Sequence, residues 1–447
     1  MPLRLECKKR EGCVHGKTES AVSLRGRFAG ISGALLAFLI AGIVSCPANA
    51  QVAASPDQPQ QPPPGLPLGP VVATVNGPVQ GLNNNGVYEY LGIPFAQPPV
   101  GALRWRPPLP PSPWTQARNA TQFGPICAQV TTLGVFAGPP STNEDCLYLN
   151  VFTPNLSPWA RLPVLFWIHG GGNVDGESND YDASKLASQG HLVVVTVNYR
   201  LGLLGWLANP APDNEGHPFG NYGLLDQQLA LKWVQSNIAA FGGDASRVAV
   251  GGQSAGSIDS SANVVSPLAK RLFNRAIFES ILTDSISLSA GEQLGAAFSA
   301  AAGCGSGSGA NVAACLRSLP VQTIMNLQGT ASTIGPYVTT SPISDGTILP
   351  SAGLFNAFRT GNFTHMPIMS GFTHDEYDFF IAITEYFSGP PRVPVSESDV
   401  TNYVDTTYGA EASKVLQVYD PTSFGTPQLA LDNIGTASFA CPQEGIN

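Results

Sequence analysis

Five short apolar runs constrain this chain most: "PVLFWI" (163–168), "LVVVTV" (192–197), "RVAVG" (247–251), "RAIFES" (275–280) and "MPIMSG" (366–371). Each has strand length and is near-continuously apolar. A strand with one wet face alternates apolar and polar residues, whereas runs without alternation suit strands buried on both faces of a parallel sheet. Between the runs lie helical patterns. The stretch "NYGLLDQQLALKWVQSNIAAF" (221–241) sets Leu224, Gln228, Leu231 and Gln235 at helical spacing, with Leu225, Leu229 and Val234 beside them. It predicts an amphipathic crossover helix. Strands alternating with helices predict one open, doubly wound α/β sheet. The earlier "VVATVNGPVQG" and "YLNVFT" predict antiparallel strands at one edge of that sheet.

The 447 residues allow one large domain or several smaller ones. Charged residues are only 12% and hydrophobic ones 43%, which suits a large core. The N-terminus is basic up to Arg27 and continues into the uncharged "FAGISGALLAFLIAGIVSC" and then "PANA". That layout predicts a secretory signal over residues 1–50, cut after Ala50, with an uncleaved membrane anchor as the rival reading. The cut removes seven of the 22 basic residues and three of the 31 acidic ones, leaving 15 against 28. Nucleic-acid binding is thereby disfavoured, because no stripe of Lys and Arg remains to neutralise phosphates. Residues 51–68 are rich in Pro and Gln and predict an extended lead-in to a domain over 69–447. Sequons at Asn119, Asn155 and Asn362 suit a secreted chain. Five cysteines follow the cut, and in an oxidising compartment they should pair, leaving one over.

Chemistry enters at "RVAVGGQSAGSIDSSANVV", where a strand pattern runs into Gly252-Gln253-Ser254-Ala255-Gly256 and then into a helix pattern. This is the G-x-S-x-G layout of a nucleophile elbow, and Ser254 is the candidate nucleophile. Upstream, "WIHGGG" (167–172) ends a strand in a glycine loop whose N–H groups can face a carbonyl oxygen. A phosphate loop is the alternative, disfavoured because no G-K-[ST] follows. No H-x-x-x-H or paired C-x-x-C occurs, so neither metal nor cofactor is expected.

The motifs "YLGIPFAQPPVGALRWRPP", "NEDCLYLNVFTP", "WIHGGG", "VNYRLGLLGWLA", "GQSAGS" and "SGFTHDEYDFF" run from about Gly69 to the chain's end. They resemble the type-B carboxylesterase/lipase family, the cholinesterase-like α/β hydrolases. The resemblance implies an α/β-hydrolase fold in a single large domain and hydrolysis of a small-molecule or lipid carboxylic ester through an acyl-enzyme. It assigns Ser254 as nucleophile, the N–H groups of Gly171, Gly172 and Ala255 as oxyanion hole, and Glu376 as the acid, with Asp375 and Asp378 as rivals. It also implies disulfides Cys127–Cys146 and Cys304–Cys315, and leaves Cys441 over. Gln253 stands where many relatives have Glu, and Asn173 where an aromatic is usual.

The serine's base is the difficulty. In the α/β-hydrolase order it follows the acid, yet no histidine follows Glu376. His15, His169, His191, His217 and His365 lie out of order, and His374 is too close to Glu376 along one loop. In the family a "CP" segment like Cys441-Pro442 precedes further chain that carries the histidine. The expectation is therefore a C-terminally incomplete domain with little activity as written. A non-catalytic, cholinesterase-like binding protein is the alternative. The loop between Cys127 and Cys146 holds Phe136 but no Trp, which disfavours a choline ester. Its short apolar stretch, Leu133, Val135 and Phe136, favours a general esterase over an interfacial lipase.

Overall fold

The structure is a computed structural model that describes residues 65–444 apart from 135–136, 282, 331–332 and 392. The expected signal over 1–50, residues 51–64 of the lead-in, and the loop residues Val135 and Phe136 lie outside the described residues.

One sheet dominates. Its strands are β1 (Leu68–Ala73), β2 (Pro78–Asn84), β3 (Val87–Pro94), β4 (Arg118–Asn119), β5 (Tyr148–Thr153), β6 (Leu162–Ile168), β7 (Val193–Val197), β8 (Gly243–Gln253), β9 (Arg275–Glu279) and β10 (Ile368–Gly371). They lie in the order β1-β2-β3-β5-β7-β6-β8-β9-β10, with β4 beside β2. Pairing is antiparallel from β1 through to β7 and parallel from β7 to β10. All five apolar runs thus form the parallel part, and the two earlier segments form the antiparallel edge. Leu68, placed at the end of the lead-in from sequence, already opens β1. Every residue of β7 is buried, so its unbroken Val-rich run reflects cover on both faces.

The 221–241 segment differs from its expectation. It forms helix α1 (Tyr222–Asn237) and a short 3₁₀ turn, and it is buried on nearly every side, with Lys232, Ser236 and Ala239 the exposed positions. Its polar residues face partners and not water: Asp226 accepts from Arg200 at 2.7 Å, Gln227 donates to Asp259 at 2.6 Å and Gln228 to Ser266 at 3.1 Å. A buried helix can carry polar residues when each is satisfied. Helix α2 (Ala255–Val265), buried along its whole length, connects β8 to β9.

Past β10 the chain becomes helical: α3 (Asp378–Ser388), α4 (Glu397–Tyr408), α5 (Ala412–Val418) and α6 (Pro427–Glu444). These helices surround a second, smaller core of Tyr377, Ile381, Val400, Val404, Leu431 and Ile434. Disulfides join Cys127 to Cys146 and Cys304 to Cys315. Among the described residues no helix is long and apolar enough to cross a membrane.

Candidate active site

A cleft of about 760 Å³ opens where the chain leaves β6, β8, β9 and β10. These are the carboxyl ends of parallel strands, where open α/β sheets bind ligands. At its base is Ser254, half-buried, with φ 55° and ψ −123°. A non-glycine residue in that region stores about 1–3 kcal/mol of strain. The turn holds it there: Ser254 N–H donates to Glu279 O at 2.9 Å, while its carbonyl accepts from Ser257 and Ile258 as α2 begins. Both flanking glycines are demanded by close approach. A Cβ on Gly252 would lie 2.4 Å from Gly256 O, and one on Gly256 would lie 2.0 Å from Ile168 O.

The glycine loop faces this turn. A Cβ on Gly170 would stand 3.2 Å from the Ser254 Cβ, so the two segments touch. Three successive residues then adopt positive φ: Gly171 (105°), Gly172 (61°) and Asn173 (60°). Among non-glycine residues asparagine tolerates that region best, which accounts for its place here. Asn173 is fully buried; it donates to Asp259 at 3.2 Å and accepts from the Tyr199 hydroxyl at 3.2 Å. The N–H groups of Gly171, Gly172 and Ala255 donate to no acceptor among the described residues. Ala255 opens α2, so its N–H also carries the positive end of a helix dipole.

The three acidic candidates separate clearly. Glu376 is 7% exposed, and its Oε1 accepts from the Ser280 hydroxyl and from Thr373 N–H at 2.8 Å. Asp375 is more than half exposed and pairs with His374 at the surface. Asp378 opens α3 in solvent, where it accepts from Gln428 at 3.2 Å. Only Glu376 combines burial with a place in the cleft wall.

No described histidine hydrogen-bonds to Ser254 or Glu376. His169 is buried under the glycine loop, stacked on Tyr199 at 4.4 Å, with Nδ1 2.8 Å from Gly170 O. Burial pushes its pKa down to about 4. His191 caps a helix in left-handed conformation, His217 lies against Glu215, and His365 packs on Phe363. His374 is nearly fully exposed, and Asp375 raises its pKa. The Ser254 Oγ makes no hydrogen bond among the described residues.

Sequence reasoning missed two parts of this cleft. Glu177 and Asp180 line it, and burial pushes the Glu177 carboxyl up to about 7, with Asp180 adding to the effect. The lining also includes the aromatic rings of Phe379, Phe380 and Phe439, the last two stacked with centroids 6.0 Å apart. These rings come from α3 and α6, elements with no motif to mark them. The Cys127–Cys146 loop brings Leu133 and Ala137 into the lining.

The sequence profile of the Carboxylesterase family matches residues 69–425. The chain belongs to the carboxylesterase family. It is 38% identical over 342 residues to carboxylesterase 1D of Rattus norvegicus, a match covering 70% of this chain and 59% of that one. It is 40% identical over 361 residues to fumonisin B1 esterase of Sphingopyxis macrogoltabida, covering 78% and 63%. Among solved structures, the Geobacillus stearothermophilus carboxylesterase EST55 at pH 6.2 superposes with a TM-score of 0.70 at 32% identity, over 84% of this chain and 76% of that one. This member of the carboxylesterase family thus has the α/β-hydrolase fold, and it spans less than two thirds of the length of the rat enzyme.

Proposed function

We propose that this protein acts on carboxylic esters, with Ser254 as the attacking nucleophile. The carrying observation is the elbow: a serine at φ 55° in the base of a cleft, facing a glycine loop with undonated N–H groups. In this reading Ser254 Oγ adds to the ester carbonyl carbon, and the carbonyl π pair moves onto oxygen. Gly171, Gly172 and Ala255 N–H groups then hold the oxyanion, a contribution of roughly 3–4 kcal/mol per donor in well-studied hydrolases. Collapse expels the alcohol, which departs with the proton that Ser254 Oγ gave up, and leaves an acyl group on Ser254 that water hydrolyses to the free acid, returning a proton to Oγ.

Glu376 is the group that would orient a histidine base. That base is not among the five described histidines, so we expect weak turnover from the 447-residue chain. Loss of a triad histidine costs on the order of a million-fold in turnover. The same observation favours a second reading, a binding protein that keeps the cleft but not the chemistry. The aromatic lining suits an apolar acyl or alcohol group, and Glu177 with Asp180 disfavours an anionic one. A general esterase fits better than an interfacial lipase. We further propose export, with residues 1–50 removed after Ala50 and 69–447 acting as one hydrolase domain. The two disulfides suit an oxidising compartment.

The test is hydrolysis of soluble p-nitrophenyl butanoate against emulsified triglyceride by the wild type, Ser254→Ala and Glu376→Gln, each with and without added imidazole. Serine-dependent hydrolysis that imidazole enhances supports the enzyme; hydrolysis equal in Ser254→Ala sinks it.

A further inference from the structure

The Cys127–Cys146 loop brings Leu133 and Ala137 into the cleft lining, and contacts from outside the loop help to fix its position. Asp180 accepts from the Gly138 backbone, and two further contacts involve Gln129 and Asp175. Gln129 Oε1 accepts from Gly176 N–H at 2.7 Å, while Gln129 is bridged to Ser141 by paired backbone bonds. The second contact is a single oxygen: Asp175 Oδ2 accepts from Thr132 N–H at 2.6 Å, Thr132 Oγ at 2.9 Å and Leu133 N–H at 3.1 Å. Asp175 is fully buried, and its Oδ1 has no hydrogen-bond partner.

Asp175 also belongs to the glycine turn. Its N–H donates to Gly171 O at 3.0 Å, and its carbonyl fills the space that a Cβ on Gly171 would occupy. One residue therefore grips the loop that carries Leu133 and the turn that carries the Gly171 N–H. We propose that Asp175 is a positioning residue whose carboxylate ties the Cys127–Cys146 loop to the glycine turn, setting Leu133 and the Gly171 N–H in register across the cleft. The proposal rests on reading this cleft as an ester site, but the tie itself can be measured without turnover.

The charge state matters because hydrogen bonds to a carboxylate are about twice as strong as those to a neutral acceptor. No cation offsets Asp175 among the described residues, and burial pushes its pKa up to about 7. A proton arriving at Oδ1 leaves Oδ2 as a carbonyl-like acceptor and weakens all three bonds. The titratable groups around it are His169, neutral because burial lowers its pKa to about 4; Tyr199, pushed well above 10 by burial; Glu177, which titrates near 7; and Asp259, which holds Asn173 of the same turn and is also pushed up to about 7 by burial. The loop should loosen as pH falls through about 7. Global stability moves the other way, because a carboxyl whose pKa folding raises favours the fold at low pH. Local loosening against a rising global stability separates a tie from general unfolding.

The experiment is hydrogen–deuterium exchange on the full chain, corrected for intrinsic exchange, at pH 6 and pH 8 for the wild type, Asp175→Asn and Glu177→Gln. In the wild type and in Glu177→Gln the peptide over 129–134 should lose at least tenfold protection from pH 8 to pH 6, while β8 peptides hold. In Asp175→Asn the loop should be poorly protected at both. If Asp175→Asn fails to fold, the other two profiles decide the matter. No pH step in the wild type, a step retained in Asp175→Asn, or one lost in Glu177→Gln overturns the proposal. Failure of Ser254 to react with esters would sink the esterase reading and leave the exchange result standing.

Discussion

Gly256→Ala tests the elbow where its geometry is tightest. A Cβ at 256 would lie 2.0 Å from Ile168 O and 2.8 Å from His169 O, against about 3.3 Å for an ordinary carbon–oxygen approach. The clash is with backbone, so no rotamer relieves it. Ile168 ends β6, which β7 and β8 grip from both sides, so α2 is the element that yields, by more than an ångström. Overpacking of this kind costs about 1–3 kcal/mol, and a displacement of ~1 Å at a reacting group costs roughly 100-fold in rate. Gly251→Ala is the milder comparison, since its Cβ would meet Ile277 Cβ at 3.2 Å and the Leu165 and Trp167 side chains at 3.5 Å, contacts relieved by a few tenths of an ångström. The assay pairs thermal melts with the rate at which Ser254 reacts with a fluorophosphonate in the presence of imidazole, which supplies the base. Gly256→Ala should melt several degrees lower and react about two orders of magnitude more slowly, with Gly251→Ala near wild type. A Gly256→Ala protein that melts and reacts like wild type would refute the claim that helix and strand meet here.

Stability should fall as pH rises from 4 to 8. Burial pushes Asp175, Glu177 and Asp259 up to about 7 and Asp213 up to about 8. The folded chain therefore keeps protons there that the unfolded chain releases, and stabilisation present below pH 4 is lost as pH passes their folded values. Melts across this range should show a higher Tm at pH 5 than at pH 8, with Asp213→Asn flattening the curve; a Tm that rises with pH contradicts this. Arg200→Met should be severe, because Arg200 and Asp226 pair at 2.7 Å with side chains 4% and 0% exposed. Removing one partner of such a pair costs about 3–5 kcal/mol. Urea denaturation should show that loss, and Arg200→Met/Asp226→Leu should recover part of it.

The strands and the elbow were legible because their signals are local. An unbroken valine run declares a doubly covered strand, and G-x-S-x-G between strand and helix declares a strained turn. The acidic candidates came from resemblance, and of the three only Glu376 is buried. What stayed hidden depends on distant partners. The 221–241 stretch read as an amphipathic helix, but Gln227 and Gln228 lie in the core, satisfied by Asp259 and Ser266 far along the chain. Asn173 looked like a departure from the usual aromatic, and its reason is a positive φ together with Asp259. Nothing in the sequence joined Asp175 to Thr132, or brought Phe380 and Phe439 together over the cleft.

The most direct measurement is the mass of the Ser254 peptide after rapid quenching of the protein with p-nitrophenyl butanoate and imidazole. The account predicts a butanoyl adduct on Ser254, absent from Ser254→Ala. No adduct, or an adduct elsewhere with equal hydrolysis by Ser254→Ala, would contradict it.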